Sequence, residues 1–161
     1  GVFVMGTRMV ARTSAELDVS LGNSTAMRRV VDELRDAIQV TISESGKKVE
    51  YQLPQMTNGA DAVTGEAEPV RPATWDGVNR FYRIVNGEML NENGTRVLAR
   101  EVVLTDPDPD STQYGQAYAP FSLTSIGSRR ALTINLITRR DVVGNRRYQR
   151  MKTTVILRNQ R

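Results

Sequence analysis

The stretch Met27-Arg28-Arg29-Val30-Val31-Asp32-Glu33-Leu34-Arg35-Asp36-Ala37-Ile38-Gln39-Val40-Thr41-Ile42-Ser43-Glu44-Ser45-Gly46 decides how this chain is read. Met27, Val31, Leu34, Ile38 and Ile42 stand three or four residues apart, the spacing of one face of an α-helix. Leu17 and Leu21 carry the stripe toward the N-terminus with one wider gap, and no proline occurs between Thr13 and Pro54. Arg28–Asp32 and Arg29–Glu33 are four residues apart on the other faces. Each adds about 0.2–0.5 kcal/mol at best, because the base precedes the acid. Ser45-Gly46 is a plausible C-terminal stop. The pattern predicts a helix of about thirty residues, with Gly22-Asn23-Ser24-Thr25 as a kink or as the cap of a second helix.

Beyond Gly46 the period changes. Lys48-Val49-Glu50-Tyr51-Gln52-Leu53 alternates polar and apolar and reads as a half-buried strand. Residues 54–79 hold Pro54, Pro69, Pro72 and three glycines, and read as a loop. Arg80 to Val85 is a second strand, closed by the turn pair Asn86-Gly87, and Asn93-Gly94 marks a turn before a strand from Thr95 to Val103. Asp106-Pro107-Asp108-Pro109-Asp110 opens a loop that runs to Pro120. Ala131–Thr138 and Met151–Leu157 are further strands, with Asn145 in the turn between them. There is no internal repeat. The expected fold class is α+β, a long N-terminal α-helix packed on a small antiparallel β-sheet. Residues 1–45 form the helix and residues 46–161 the sheet domain, with loops near 54–79 and 105–120.

Composition narrows the chemistry. The 161 residues include no cysteine and no histidine. Disulfides, Ser-His and Cys-His nucleophiles and the common zinc sites are therefore excluded. Asp32 and Asp36 lie one turn apart on a helix, the placement of a paired-acid site, but Arg28, Arg29 and Arg35 hold both ionised and the pattern is that of a solvated face. Asp106, Asp108 and Asp110 alternate as in a cation-binding loop, without the glycine and distal glutamate of the helical calcium loop. Asn23 and Asn93 head Asn-x-Ser/Thr sequons, and no glycine-rich phosphate loop occurs. The expected cofactor is none, and no metal site is assigned.

Charge is unevenly placed. Residues 1–126 hold 12 Lys+Arg against 17 Asp+Glu, whereas residues 127–161 hold 10 against Asp141 alone. Arg139, Arg140, Arg146, Arg147, Arg150 and Lys152 are the candidate contacts for a polyanion such as DNA, or for an acidic partner. The other reading is that these arginines only keep a sheet edge soluble and unpaired.

The segments Met27 to Ile38, Val49 to Leu53, Phe81 to Gly87, Val97-Leu98-Ala99-Arg100-Glu101-Val102 and Thr153-Thr154-Val155-Ile156-Leu157-Arg158-Asn159 follow one another in a specific order. That order, over about residues 24–159 without the two loops, resembles the minor members of the type IV pilins and type II secretion pseudopilins of the bacterial envelope. The family's processing site and apolar membrane segment with its early glutamate do not occur in this sequence. The apolar start Val2-Phe3-Val4-Met5 is too short to span a bilayer, which takes about 20 apolar residues. It fits the cut end of such a segment.

The resemblance implies assembly and not catalysis: a pilin-like fold, an inner-membrane anchor through a missing N-terminal segment, a periplasmic domain, and a place in a pilus or pseudopilus. The implied partners are other pilin or pseudopilin subunits, with DNA as a further candidate and no small-molecule substrate. Leu17, Leu21, Met27 and Val31 are the implied subunit-interface residues. Leu34 and Ile38 continue the same stripe, and residues 27–42 are expected to cover the sheet.

Overall fold

The structure, a computed structural model, describes residues 24–25, 27–60, 67–69, 71, 73–91 and 94–158. Helical backbone occupies 24–25 and 27–35 (α1) and stops at Arg35. The chain turns at Asp36 and enters β1 (Gln39–Ser43). The expectation of a long helix packed on one small sheet is thereby corrected: the described residues are mostly β, in two antiparallel sheets, with one short helix. The reason lies in Gln39-Val40-Thr41-Ile42-Ser43. Its three consecutive β-branched residues are stiff at χ1 and favour a pleated strand. Ile38 and Ile42 fit the helical stripe, but Val40 and Ile42 also fit a period of two, and pairing decides between the readings. β1 runs antiparallel to β2 (Lys48–Gln52), with Val40 opposite Tyr51 and Ile42 opposite Val49. The Ile38 N–H extends the ladder by donating to the Gln52 carbonyl at 2.9 Å.

The first sheet has the order β1-β2-β5-β6-β7, where β5 is Arg80–Val85, β6 Glu88–Leu90 and β7 Val97–Ala99. A 3-10 turn at Glu44–Gly46 joins β1 to β2. At Gly46 φ is +83°, and a Cβ there would stand 2.6 Å from the Ala119 Cβ and 2.8 Å from the Phe121 carbonyl oxygen. The turn is thus pressed against the chain entering the second sheet, and only glycine fits. Within the segment expected to be a loop, β3 (Met56–Ala60) and β4 (Ala67–Pro69) pair as a separate two-stranded ribbon.

The second sheet comprises β8 (Val102–Val103), β9 (Phe121–Ile126), β10 (Arg129–Val142) and β11 (Asn145–Ile156). Its order is β11-β10-β8, with β9 also paired to β10. The single strand expected over Thr95–Val103 is broken at Glu101, whose φ of 56° is strained for a residue with a side chain. Before the break Ala99 pairs with Met89; after it Val102 and Val103 pair with Thr138 and Ile137. One run of sequence thus serves both sheets, and the Val102 N–H donates to the Gly87 carbonyl at 2.9 Å across the junction.

One core joins α1 and the two larger sheets. Met27, Val30, Leu34 and Ala37 of the helical segment meet Val49, Tyr51, Tyr82, Ile84 and Met89 of the first sheet and Leu132, Ile134, Leu136, Val155 and Leu157 of the second. Leu34 is wholly buried, which stabilises the fold by about 1.5–3 kcal/mol.

Candidate functional site

Two places combine charge with defined geometry. The first is the seat of α1. Tyr51 on β2 and Tyr82 on β5 are stacked, with ring centroids 5.3 Å apart. Both phenols donate to Glu33 Oε2, at 2.5 and 2.6 Å. Burial pushes the Tyr51 hydroxyl well above the usual phenol range, and its bond to Glu33 adds to the shift. Arg29 Nε lies 3.5 Å from the other Glu33 oxygen. The arrangement fixes the helix to the sheet.

The second place is the β10–β11 hairpin, the sequence's basic region. Its turn is Val143-Gly144, both at positive φ, the requirement of a tight hairpin turn that follows the strand twist. Asn145, expected in the turn, is instead the first residue of β11. Antiparallel register sets the faces. Leu132, Ile134, Leu136 and Val155 point into the core, so Arg140 and its partner Arg147 share that side of the hairpin beyond the core. Arg139, Arg146, Arg150 and Lys152 share the opposite face with Tyr148, because side chains alternate along a strand. The six polyanion candidates are therefore divided four and two between faces.

Several of these cations already have acidic neighbours. Arg139 Nη2 pairs with Glu101 at 3.0 Å, Arg150 Nη2 with Asp106 at 2.8 Å, and Arg146 Nε lies 3.9 Å from Asp141. Asp106 is buried, and its carboxylate also accepts the Asp108 N–H and the Ser111 hydroxyl, each at 3.0 Å. The Asp108 amide first, and then the Arg150 guanidinium, hold the Asp106 carboxyl below the usual carboxylate range. Asp108 in turn accepts the Asp110 N–H at 3.0 Å. Asp106 and Asp108 thus act as successive turn caps, and among the described residues no group of three or more acidic side chains is placed to hold a metal ion. The same loop is locked to β10 by Tyr118, which accepts the Ile137 N–H at 3.1 Å and donates to the Val103 carbonyl at 2.5 Å.

An open cleft of ≈ 440 Å³ lies between this loop and β11, lined by Pro107, Pro109, Tyr148 and Arg150 among others. A smaller one of ≈ 330 Å³ at the sheet junction contains the ion pairs Arg100–Glu88 and Arg139–Glu101, so its charges are matched within the protein.

Of the expected subunit-interface residues, Met27 is buried and Val31 half-buried against the core, whereas Leu17 and Leu21 lie outside the described residues. Sequence reasoning missed the double use of Glu33 and the role of Tyr118; the alternation around Tyr51 and Tyr82 was visible, but their common acceptor was not. Among the described residues no helix is long and apolar enough to cross a membrane. Compared with protein-family models, with curated proteins and with solved structures, the chain matches none.

Proposed function

We propose that the chain is a minor pilin or pseudopilin, a non-catalytic subunit that assembles with sibling subunits in a type IV pilus or a type II secretion pseudopilus. The long-helix fold expected with that family is no part of the proposal. The reading rests on the order of segments, and the observation that carries it is the seating of α1. Glu33 ties the helical segment to two strands of the first sheet through Tyr51 and Tyr82, while Met27, Val30 and Leu34 bury its inner face. A subunit drawn into a filament by its leading segment needs such an attachment, because the pull on that segment must reach the β body. The proposed setting is an inner-membrane anchor with a periplasmic domain, then the filament.

The test is the coding sequence upstream of Gly1. The expected result is an open frame with a short basic leader, a cleavage-site glycine and about 20 apolar residues with an early glutamate. A start codon or an ordinary secretory signal directly before Gly1 contradicts the proposal. The alternative, an envelope module that binds DNA or an acidic partner through residues 127–161, draws support from the basic face of β11.

A further inference from the structure

We propose that the free edge of β11 binds an acidic extended peptide by strand addition, whether or not the chain is a filament subunit. The register of the hairpin shows which backbone groups are available. In an antiparallel ladder, residues that exchange hydrogen bonds with the partner alternate with residues whose N–H and C=O point away. The Leu157 N–H donates to the Arg130 carbonyl at 3.0 Å, one step beyond the Ala131–Ile156 pair. Counting back by twos, the odd-numbered residues of β11 spend their backbone groups on β10. Those of Arg146, Tyr148, Arg150, Lys152, Thr154 and Ile156 point outward. The other flank of β10 obeys the same rule: the N–H groups of Asn135, Ile137 and Arg139 point away from β11, to the Pro120 carbonyl, the Tyr118 hydroxyl and the Glu101 carbonyl.

The edge is closed at one end and open along the rest. The Arg158 N–H, next in the outward series, donates to the Arg35 carbonyl at the end of α1 at 3.2 Å. From Arg146 to Ile156 no strand among the described residues pairs with it. A long open edge is a template for another chain.

Charge selects the occupant. The outward-bonding residues also share one side-chain face, with Tyr148 (43% exposed) between Arg146 and Arg150, then Lys152. Arg146 has a side chain 70% exposed and only a 3.9 Å contact with Asp141; Arg150 is shared with Asp106. Same-face residues recur every ~6.8 Å along a strand, so a peptide with acids at alternate positions meets these cations in register. A second copy of β11 would bring cations against cations. Single-stranded nucleic acid would find a lone stacking residue, Tyr148, and would leave the outward amides unused.

The probe is a synthetic acetyl-(Glu-Thr)4-amide peptide, titrated into the protein at low salt and followed by backbone amide NMR and by fluorescence anisotropy of a labelled version. The expected result is slowed amide exchange at Tyr148, Arg150 and Lys152 without comparable change at Arg147, Gln149 and Met151. Affinity should fall about tenfold or more when alternate peptide amides are N-methylated, which keeps charge and removes strand bonding. The paired exchange Arg146→Glu with Lys152→Glu should weaken binding likewise. No binding, equal binding of the methylated peptide, or equally tight binding of oligo-dT without amide protection would each overturn the proposal.

Discussion

Tyr51 and Tyr82 share a single acceptor: hydroxyls from two neighbouring strands converge on one oxygen of Glu33, although the residues are 18 and 49 positions from it in sequence. The helix, β2 and β5 therefore meet at one charged atom. A carboxylate accepting two phenols is a stronger tie than a neutral pair, because charge-assisted hydrogen bonds are roughly twice as strong.

Tyr51→Phe should lower unfolding free energy by about 1.5–3 kcal/mol, the usual worth of a hydrogen bond to a charged group. Glu33→Ala should cost more than either tyrosine substitution, since it strands two buried donors. The double variant Tyr51→Phe with Glu33→Ala should fall short of the sum of the single effects. Urea denaturation of the parent, Tyr51→Phe, Tyr82→Phe, Glu33→Ala and the double variant checks this, and additive effects would refute the shared acceptor.

The same contact sets an alkaline limit. The Tyr51 hydroxyl is raised in the folded state, chiefly by burial. Its contribution is therefore fully present below the unfolded value of about 10. Above that pH the unfolded chain loses the proton and the folded one keeps it, so stability falls. Thermal melts from pH 8 to 11.5 should show a steeper loss for the parent than for Tyr51→Phe.

At the loop beside β11 the sign reverses. The Asp106 carboxyl is lowered in the folded state by the Asp108 amide and by Arg150. Its stabilisation is present above the unfolded value of about 3.9 and is lost as pH falls through the lower folded value. Arg150→Met should move the Asp106 titration, read by carboxyl carbon NMR, upward toward the ordinary range. The parent should be more stable than the variant at pH 7, and the gap should close in acid below the folded value.

Much of the sheet was legible because alternation survives in the sequence. The strand read over Arg80–Val85 has those bounds in β5, and Lys48–Leu53 differs from β2 by one residue. The basic face of the hairpin was legible as composition, but not its division between faces, which needs the register of twelve paired positions. β1 was misread because Ile38 and Ile42 satisfy a helical period while Val40 and Ile42 satisfy a period of two, and only Tyr51 and Val49 across the ladder decide. β9 went unread although Phe121 and Leu123 alternate with Ser122 and Thr124. The break at Glu101 carries no residue-type signal, since a glutamate at positive φ is held by the two sheets it joins.

The proposed assembly runs through the segment leading into α1, with Met27 and Val31 kept for the protein's own core. Sedimentation velocity of the 161-residue chain against Leu21→Glu, across a hundredfold range of concentration, tests it most directly. The account predicts concentration-dependent association of the parent, and a monomer for Leu21→Glu with unchanged melting. A variant that associates as well as the parent, or a parent that stays monomeric throughout, would contradict it.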